Sequence, residues 1–137
     1  MRVLVTGGTS LLGRTTAEQL RARGDEVTLL QRRPSGMACR EVLGDVADPA
    51  VVARAAGGQD AVVHLAAKVD VVGPWRAFVE TNVMGTRHVL TACRDGGVGR
   101  LVHVSSPSVA HFGSALVGSG AGPADPARAR GRYARSK

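Results

Sequence analysis

Tyr133 and Lys137 stand four residues apart, and Ser106 closes the upstream segment Arg100 to Ser106, whose apolar residues are Leu101, Val102 and Val104. On a helix, that spacing puts the tyrosine and the lysine one turn apart on the same face. Tyr133 is the single tyrosine, and only Lys68 and Lys137 among the 18 basic residues are lysines, so abundance does not explain the pairing. A phenol, an ammonium group and a hydroxyl suit hydride chemistry at a secondary alcohol, where a base must take the oxygen-bound proton as hydride leaves carbon. Free tyrosine, with a pKa near 10, is a poor base at neutral pH. A positive charge about 4 Å away at an effective dielectric of about 20 is worth roughly 4 kcal/mol. That is about three pKa units, and Lys137 can supply the charge.

These residues need a scaffold, and the stretch Met1 to Gly13 begins one. Val3, Leu4 and Val5 read as a strand buried on both faces. Gly7, Gly8 and Gly13 then allow a sharp turn and close approach of a ligand, and Leu11 to Arg23 reads as a helix closed by Gly24. The helix's unpaired first-turn amides and positive dipole end face the turn, which suits a pyrophosphate. Glu26 to Leu30 reads as a second strand. Its end carries Gln31, Arg32 and Arg33 where NAD-binding proteins place an acid for the ribose 2′-hydroxyl, so a 2′-phosphate, and NADP over NAD, is expected. A third strand spans Arg40 to Leu43, and a helix starts at Asp48-Pro49 and ends at Gly57-Gly58. Asp60 to Ala67 holds a fourth strand and its turn, and a long helix runs from Trp75 to about Asp95, closed by Gly96-Gly97. Arg100 to Ser106 is a fifth strand. This alternation predicts an α/β, Rossmann-type doubly wound parallel sheet with right-handed crossovers, and ligands of such sheets bind at the carboxyl ends of the strands, where Ser106 falls. Pro107 to Ala127, rich in Gly, Ser, Ala and Pro, predicts a mobile loop beside the site; the last ten residues suit a helix start.

Composition narrows the partners. The net charge of +7 is weighted toward Arg128, Arg130, Arg132, Arg135 and Lys137, while aromatic residues make up 3%, so nucleic-acid binding is not expected. No apolar run spans a membrane and no export pattern precedes the first strand, so a cytoplasmic location is expected. Cys39 and Cys93 suggest reduced thiols. The four histidines show no metal spacing; His64 and His103, in apolar strands, are expected to be satisfied core residues. Val79, Val83 and Leu90 are expected to face the core.

Several motifs in order carry a family resemblance. Thr6-Gly-Gly-Thr-Ser-Leu-Leu-Gly13 resembles the TGxxGxxG cofactor turn of extended short-chain dehydrogenase/reductases, with Ser10 in place of the middle glycine. Gly44-Asp45-Val46 resembles their adenine-contacting turn, His64-Leu-Ala-Ala67 their HxAA turn, and Thr81-Asn-Val-Met-Gly-Thr86 their TNVxGT segment. Ser106, Tyr133 and Lys137 match the catalytic set. The resemblance implies NADP (or NAD) held by Gly7, Ser10, Leu11, Leu12, Gly13, Arg32, Arg33, Asp45, Val46, Leu65, Ala66, Ala67, Tyr133 and Lys137. It implies catalysis by Ser106 (or Ser105) on the substrate oxygen, Tyr133 as acid–base, Lys137 on the nicotinamide ribose, and Asn82 at a helix bend with a proton-relay water. It also implies pairing through the long helix.

Ala66-Ala67-Lys68, Gly73-Pro74-Trp75 and Val104-Ser-Ser-Pro-Ser-Val109 are most similar to the 3β-hydroxysteroid/sterol dehydrogenase branch, which implies a sterol-like or long-chain β-hydroxy or β-keto substrate. A sugar-nucleotide epimerase or dehydratase is the alternative, and a non-catalytic dinucleotide-binding module another. The later strands and substrate-binding part expected of an extended member are absent, so residues 1–137 are expected to be the incomplete Rossmann domain of a longer polypeptide. Without that remainder, Tyr133 and Lys137 are expected to sit away from Ser106.

Overall fold

The computed structural model describes residues 1–113, 117–118 and 122–137. Strands β1 (Arg2–Thr6), β2 (Glu26–Gln31), β3 (Arg40–Leu43), β4 (Ala61–His64) and β5 (Arg100–His103) form one parallel sheet in the order β3-β2-β1-β4-β5. The order reverses at β1, and the resulting crevice outside the strand ends is where open α/β sheets bind ligands. Register aligns those ends: Thr6 is level with Leu30 and His64, and His64 with His103.

Alternation along the strands divides the core in two. Leu4, Leu30, Val42 and Val62 pack with Val52, Ala55, Val89, Ala92 and Cys93 from α2 (Pro49–Ala56) and the helix after β4. Val3, Val5, Val27, Leu29 and Ala61 pack on the other face with Ala17 of α1 (Leu11–Ala22). A central strand covered on both faces cannot alternate apolar with polar residues, which is why β1 reads as a continuous apolar run. Asp48 caps α2, its carboxylate accepting from the Ala50 and Val51 amides ahead of Pro49.

The predicted long helix is continuous but not uniform. It comprises α3 (Trp75–Phe78), a π-helical segment (Val79–Met84) and α4 (Gly85–Asp95). Its buried face holds Phe78, Asn82, Gly85, Val89 and Ala92. Leu90 is 51% exposed, and Val79 and Val83 are half-buried, so the expected core face was one position out of phase. The reason is that two positions of the true face carry an amide and a glycine: Asn82 makes hydrogen bonds there, and a Cβ on Gly85 would meet Val46 at 2.8 Å. Apolarity alone therefore pointed to the neighbouring face.

Three further expectations change. β5 ends at His103, so Ser106 lies beyond the strand, and His103 is exposed on this outer strand rather than a core residue. Within the predicted loop, Pro107–Ala110 forms a 3₁₀ turn and Asp125 accepts from the Ala127 and Arg128 amides; residues 114–116 and 119–121 lie outside the described residues. A final helix, α5 (Arg132–Ser136), carries Tyr133.

The first turn is closely packed. Gly7 has φ +75°, and a Cβ on Gly13 would fall 2.2 Å from the Gly7 carbonyl oxygen. Backbone cannot yield as a flexible side chain does, so Gly13→Ala is expected to destabilise the protein by about 1–3 kcal/mol. Urea denaturation measures this; an unchanged midpoint would mean that the turn is not closely packed.

Candidate dinucleotide and catalytic site

Ser10 is the N-cap of α1. Its hydroxyl accepts from the Gly13 amide at 3.0 Å and donates to the Gly7 carbonyl at 2.9 Å. The residue that departs from the glycine pattern thus closes the turn on itself instead of reaching toward a ligand. The first-turn amides of Leu11 and Leu12 have no intramolecular partner among the described residues, and these are the donors a helix start offers to phosphate oxygens. Leu11 is 85% exposed and Leu12 55%, so their side chains flank that opening without filling it.

The opposite wall is the β4 turn. Thr6, fully buried, accepts at its Oγ1 from the Leu65 and Ala66 amides at 3.1 and 3.0 Å. A Cβ on Gly7 would meet Ala66 at 3.0 Å, so the two turns form one narrow cradle. Leu65, Ala66 and Ala67 are half-buried along it. Asp45 folds its carboxylate onto the Ala47 amide at 3.0 Å, and the buried Val46 accepts through its carbonyl from His88 Nδ1 at 3.1 Å.

At the end of β2, Gln31 has bonds that the mere absence of an acid did not suggest. Gln31 is 4% exposed; its Nε2 donates to Glu41 Oε1 at 3.2 Å, which fixes the amide's orientation because a carboxylate can only accept. Its Oε1 is left buried without a partner among the described residues, against Gly8. An orphaned buried acceptor costs on the order of 1–3 kcal/mol. A cradle that a Cβ would obstruct, two helix-start amides without a partner among the described residues and a buried polar side chain at the end of β2 together fit a dinucleotide. Arg32 and Arg33 follow, both exposed.

Asn82 joins the segment after β4 to the helix that carries Tyr133. Its Oδ1 accepts from the Lys68 amide at 2.7 Å, while its Nδ2 donates to the Lys68 carbonyl at 3.0 Å and to Ser136 Oγ at 2.8 Å. Ser136 Oγ in turn donates to the Tyr133 carbonyl, so Ser136 fastens the Tyr133 helix to the π segment; nothing in the spacing marked it. Lys137 Nζ donates to the Val104 carbonyl at 2.8 Å, and burial lowers its pKa. Lys137 is therefore docked on the chain just after β5, against the expectation that it would sit apart from the Ser106 region. Tyr133 is half-buried. Ser106 caps the 3₁₀ turn and shares a 2.8 Å hydrogen bond with Ser108, whereas Ser105 is exposed.

With this geometry in place the family can be stated. The pattern of the NAD dependent epimerase/dehydratase family matches residues 3–137, and the chain belongs to that family. It is 41% identical over 115 residues to a 2-alkyl-3-oxoalkanoate reductase of Stenotrophomonas maltophilia, covering 81% of this chain and 35% of the relative. It is 35% identical over 127 residues to a 3-beta-hydroxysteroid dehydrogenase of Mycolicibacterium neoaurum, covering 85% and 35%. A dTDP-glucose 4,6-dehydratase of Streptomyces niveus is likewise 35% identical, covering 80% and 39%. Among solved structures, a short-chain dehydrogenase/reductase superfamily protein of Agrobacterium tumefaciens with bound NAD superposes with TM-score 0.89 at 31% identity, covering all of this chain and 42% of that one. The chain thus spans about a third of the length of its relatives.

His64 sits beneath the site, 1% exposed, with both ring nitrogens hydrogen-bonded as expected of a core histidine. Burial above all, then His103 and Lys137 nearby, pushes its pKa from 6.5 down to about 4. A folded-state pKa below the unfolded one means that the unfolded chain takes the proton first. The stability this neutral ring contributes is whole above about pH 6.5 and lost as pH falls toward 4, about 3 kcal/mol in all. Denaturation curves between pH 7.5 and 4.5 are expected to show this decline, and His64→Asn to flatten it; an equal decline in the variant would assign it to other groups.

Proposed function

We propose that this chain serves an NAD(P)-dependent oxidoreductase that moves hydride between nicotinamide and a secondary alcohol or ketone of a hydrophobic substrate, sterol-like or a long-chain β-hydroxy or β-keto compound. The observation that carries the reading is the anchoring of the Tyr133–Lys137 helix at the sheet's carboxyl edge, by Lys137 on Val104 and Ser136 on Asn82. In this reading the cradle of Gly7, Leu11, Leu12, Gly13, Leu65, Ala66 and Ala67 holds the dinucleotide, with Asp45 and Val46 on the adenine side. The bound nicotinamide supplies or accepts the hydride. Tyr133 exchanges the proton of the substrate oxygen, Lys137 places positive charge beside it and holds the nicotinamide ribose, Ser106 steadies the substrate oxygen, and Asn82 orders a relay water.

Support for a hydrophobic substrate comes from the relatives' named activities and from Val69, Val71, Val72 and Trp75. These follow the β4 turn, and Val71 and Val72 are 92% and 76% exposed. No described helix is long and apolar enough to cross a membrane. The proposal includes a cytoplasmic location, a small-molecule partner rather than nucleic acid or membrane, and a homodimer through the α4 side that exposes Leu90.

Sugar-nucleotide epimerisation or dehydration uses the same residues and is favoured by the dehydratase relative. Net turnover separates the two. Stoichiometric oxidation of NAD(P)H with a 3-ketoacyl or 3-ketosteroid substrate is the expected result, and Tyr133→Phe should lower it at least a hundredfold. Conversion of a nucleotide sugar without net change in NAD(P)H would overturn the oxidoreductase reading.

For cofactor choice, Arg32 or Arg33 meets a 2′-phosphate and favours NADPH. Replacing both with alanine is expected to weaken NADPH binding tenfold or more while changing NADH affinity little, measured by fluorescence titration. Equal weakening of the two would make these arginines general surface charge.

A further inference from the structure

His64 does more than fill the core, because its hydrogen-bond partners leave its proton one place to go. Thr6 Oγ1 already accepts two backbone protons, from Leu65 and Ala66. A hydroxyl oxygen has two lone pairs, so Thr6 has no acceptor capacity left and must donate its own proton to His64 Nδ1, 2.7 Å away. With Nδ1 accepting, a neutral imidazole carries its hydrogen on Nε2. Nε2 lies 3.1 Å from Thr86 Oγ1 and donates to it. Thr86 then passes its hydroxyl proton to the Asn82 carbonyl at 2.6 Å, inside the π segment. The series runs one way, from the cradle to the helix that carries Asn82, and neither the other tautomer nor the imidazolium satisfies it.

We infer that His64, fixed as the Nε2–H tautomer, is a positioning residue that ties the dinucleotide cradle at Gly7, Leu65 and Ala66 to the π segment whose Asn82 holds the Tyr133 helix. The inference rests on the dinucleotide reading for its purpose but not for its hydrogen-bond geometry. The Thr6 hydroxyl is the one group that touches both the ring and the β4-turn amides. Turning it away from the ring requires one of those amides to lose its acceptor. At the other end, a side chain bonded to the carbonyl four residues earlier bends a helix, here at the π segment. The charged and titratable groups around the ring also oppose an imidazolium: His103 of β5 stacks on it at 5.4 Å, and Lys137 adds positive charge just beyond α5. From β1 and α4 the ring meets the hydroxyls of Thr6 and Thr86.

Two measurements on the full-length protein test this. Long-range ¹H–¹⁵N correlation spectra of the ligand-free protein at pH 7 should show His64 with Nδ1 bare and Nε2 protonated. A protonated Nδ1, or an imidazolium, would overturn the inference whatever the cofactor proves to be. The second measurement separates the two halves of the tie. His64→Asn can keep an acceptor for Thr6 while losing the link to Thr86, and His64→Gln can keep a donor for Thr86 while losing the acceptor for Thr6. NADPH titration should find His64→Gln weakened about tenfold and His64→Asn within about threefold of wild type, while His64→Asn, cut from Thr86 and the π segment, should lose kcat about tenfold, with similar melting temperatures for the two. Equal weakening of NADPH binding by both, or an unchanged kcat in His64→Asn, would reduce His64 to a core residue and overturn the inference. A wild-type protein that binds neither NADPH nor NADH, yet shows the Nε2–H ring, would overturn the dinucleotide reading while leaving the tie in place.

Discussion

The site's geometry depends on one buried amide. Asn82, 4% exposed, uses both ends of its side chain, capturing the amide and carbonyl of Lys68 on one strand-end segment and Ser136 on the terminal helix. Leaving such a group unpaired would cost on the order of 1–3 kcal/mol per lost partner, so the segments it joins are held where its hydrogen bonds can be made. The π-helical turn around it belongs to the same arrangement, since π segments are rare and commonly occur at functional positions. Without Asn82, α5 would keep the bonds of Lys137 to Val104 and of Arg132 to the Gly73 carbonyl, the stacking of Arg135 on Trp75, and its packing against α3, the π segment and the 3₁₀ turn. A five-residue helix is too short to be stable by itself.

The cradle depends on a second constraint, the parallel register that sets Thr6, Leu30, His64 and His103 level at one edge of the sheet. Because β1 and β4 are neighbours with their ends aligned, the Thr6 hydroxyl reaches the amides of the β4 turn, and the two turns close on each other at Gly7 and Ala66. The cradle of the two turns and the helix of Tyr133 thus come from segments far apart in sequence and are linked through the residues that follow β4.

The sheet and the glycine turn were legible in the sequence because each rests on local signals: an apolar run for a doubly covered strand, glycines where a Cβ would clash, and the Asp48-Pro49 helix start. The Tyr133–Lys137 pair stood out in the sequence because both residue types are scarce. The core face of the long helix was not legible, since Asn82 and Gly85 occupy it for reasons of hydrogen bonding and close approach rather than hydrophobicity. Ser10 could be seen as a departure, but only the structure shows its hydroxyl spent within the turn. Gln31 was read as the absence of an acid; its significance lies in a lone acceptor whose orientation is set by Glu41 from the adjacent strand. Ser136 and Thr86 are common residue types whose roles arise from contacts distant in sequence or from a local helical irregularity.

The central claim is that a dinucleotide lies between the two turns, with its phosphates on the start of α1. Hydrogen exchange with and without NADPH addresses it directly, because the Leu11 and Leu12 amides have no intramolecular partner among the described residues and should exchange fast in the free protein. The account predicts that NADPH slows exchange at Leu11 and Leu12 and across Leu65 to Ala67, with little change in α2. Slowing confined to other segments, or no change at Leu11 and Leu12 at a saturating concentration, would contradict it.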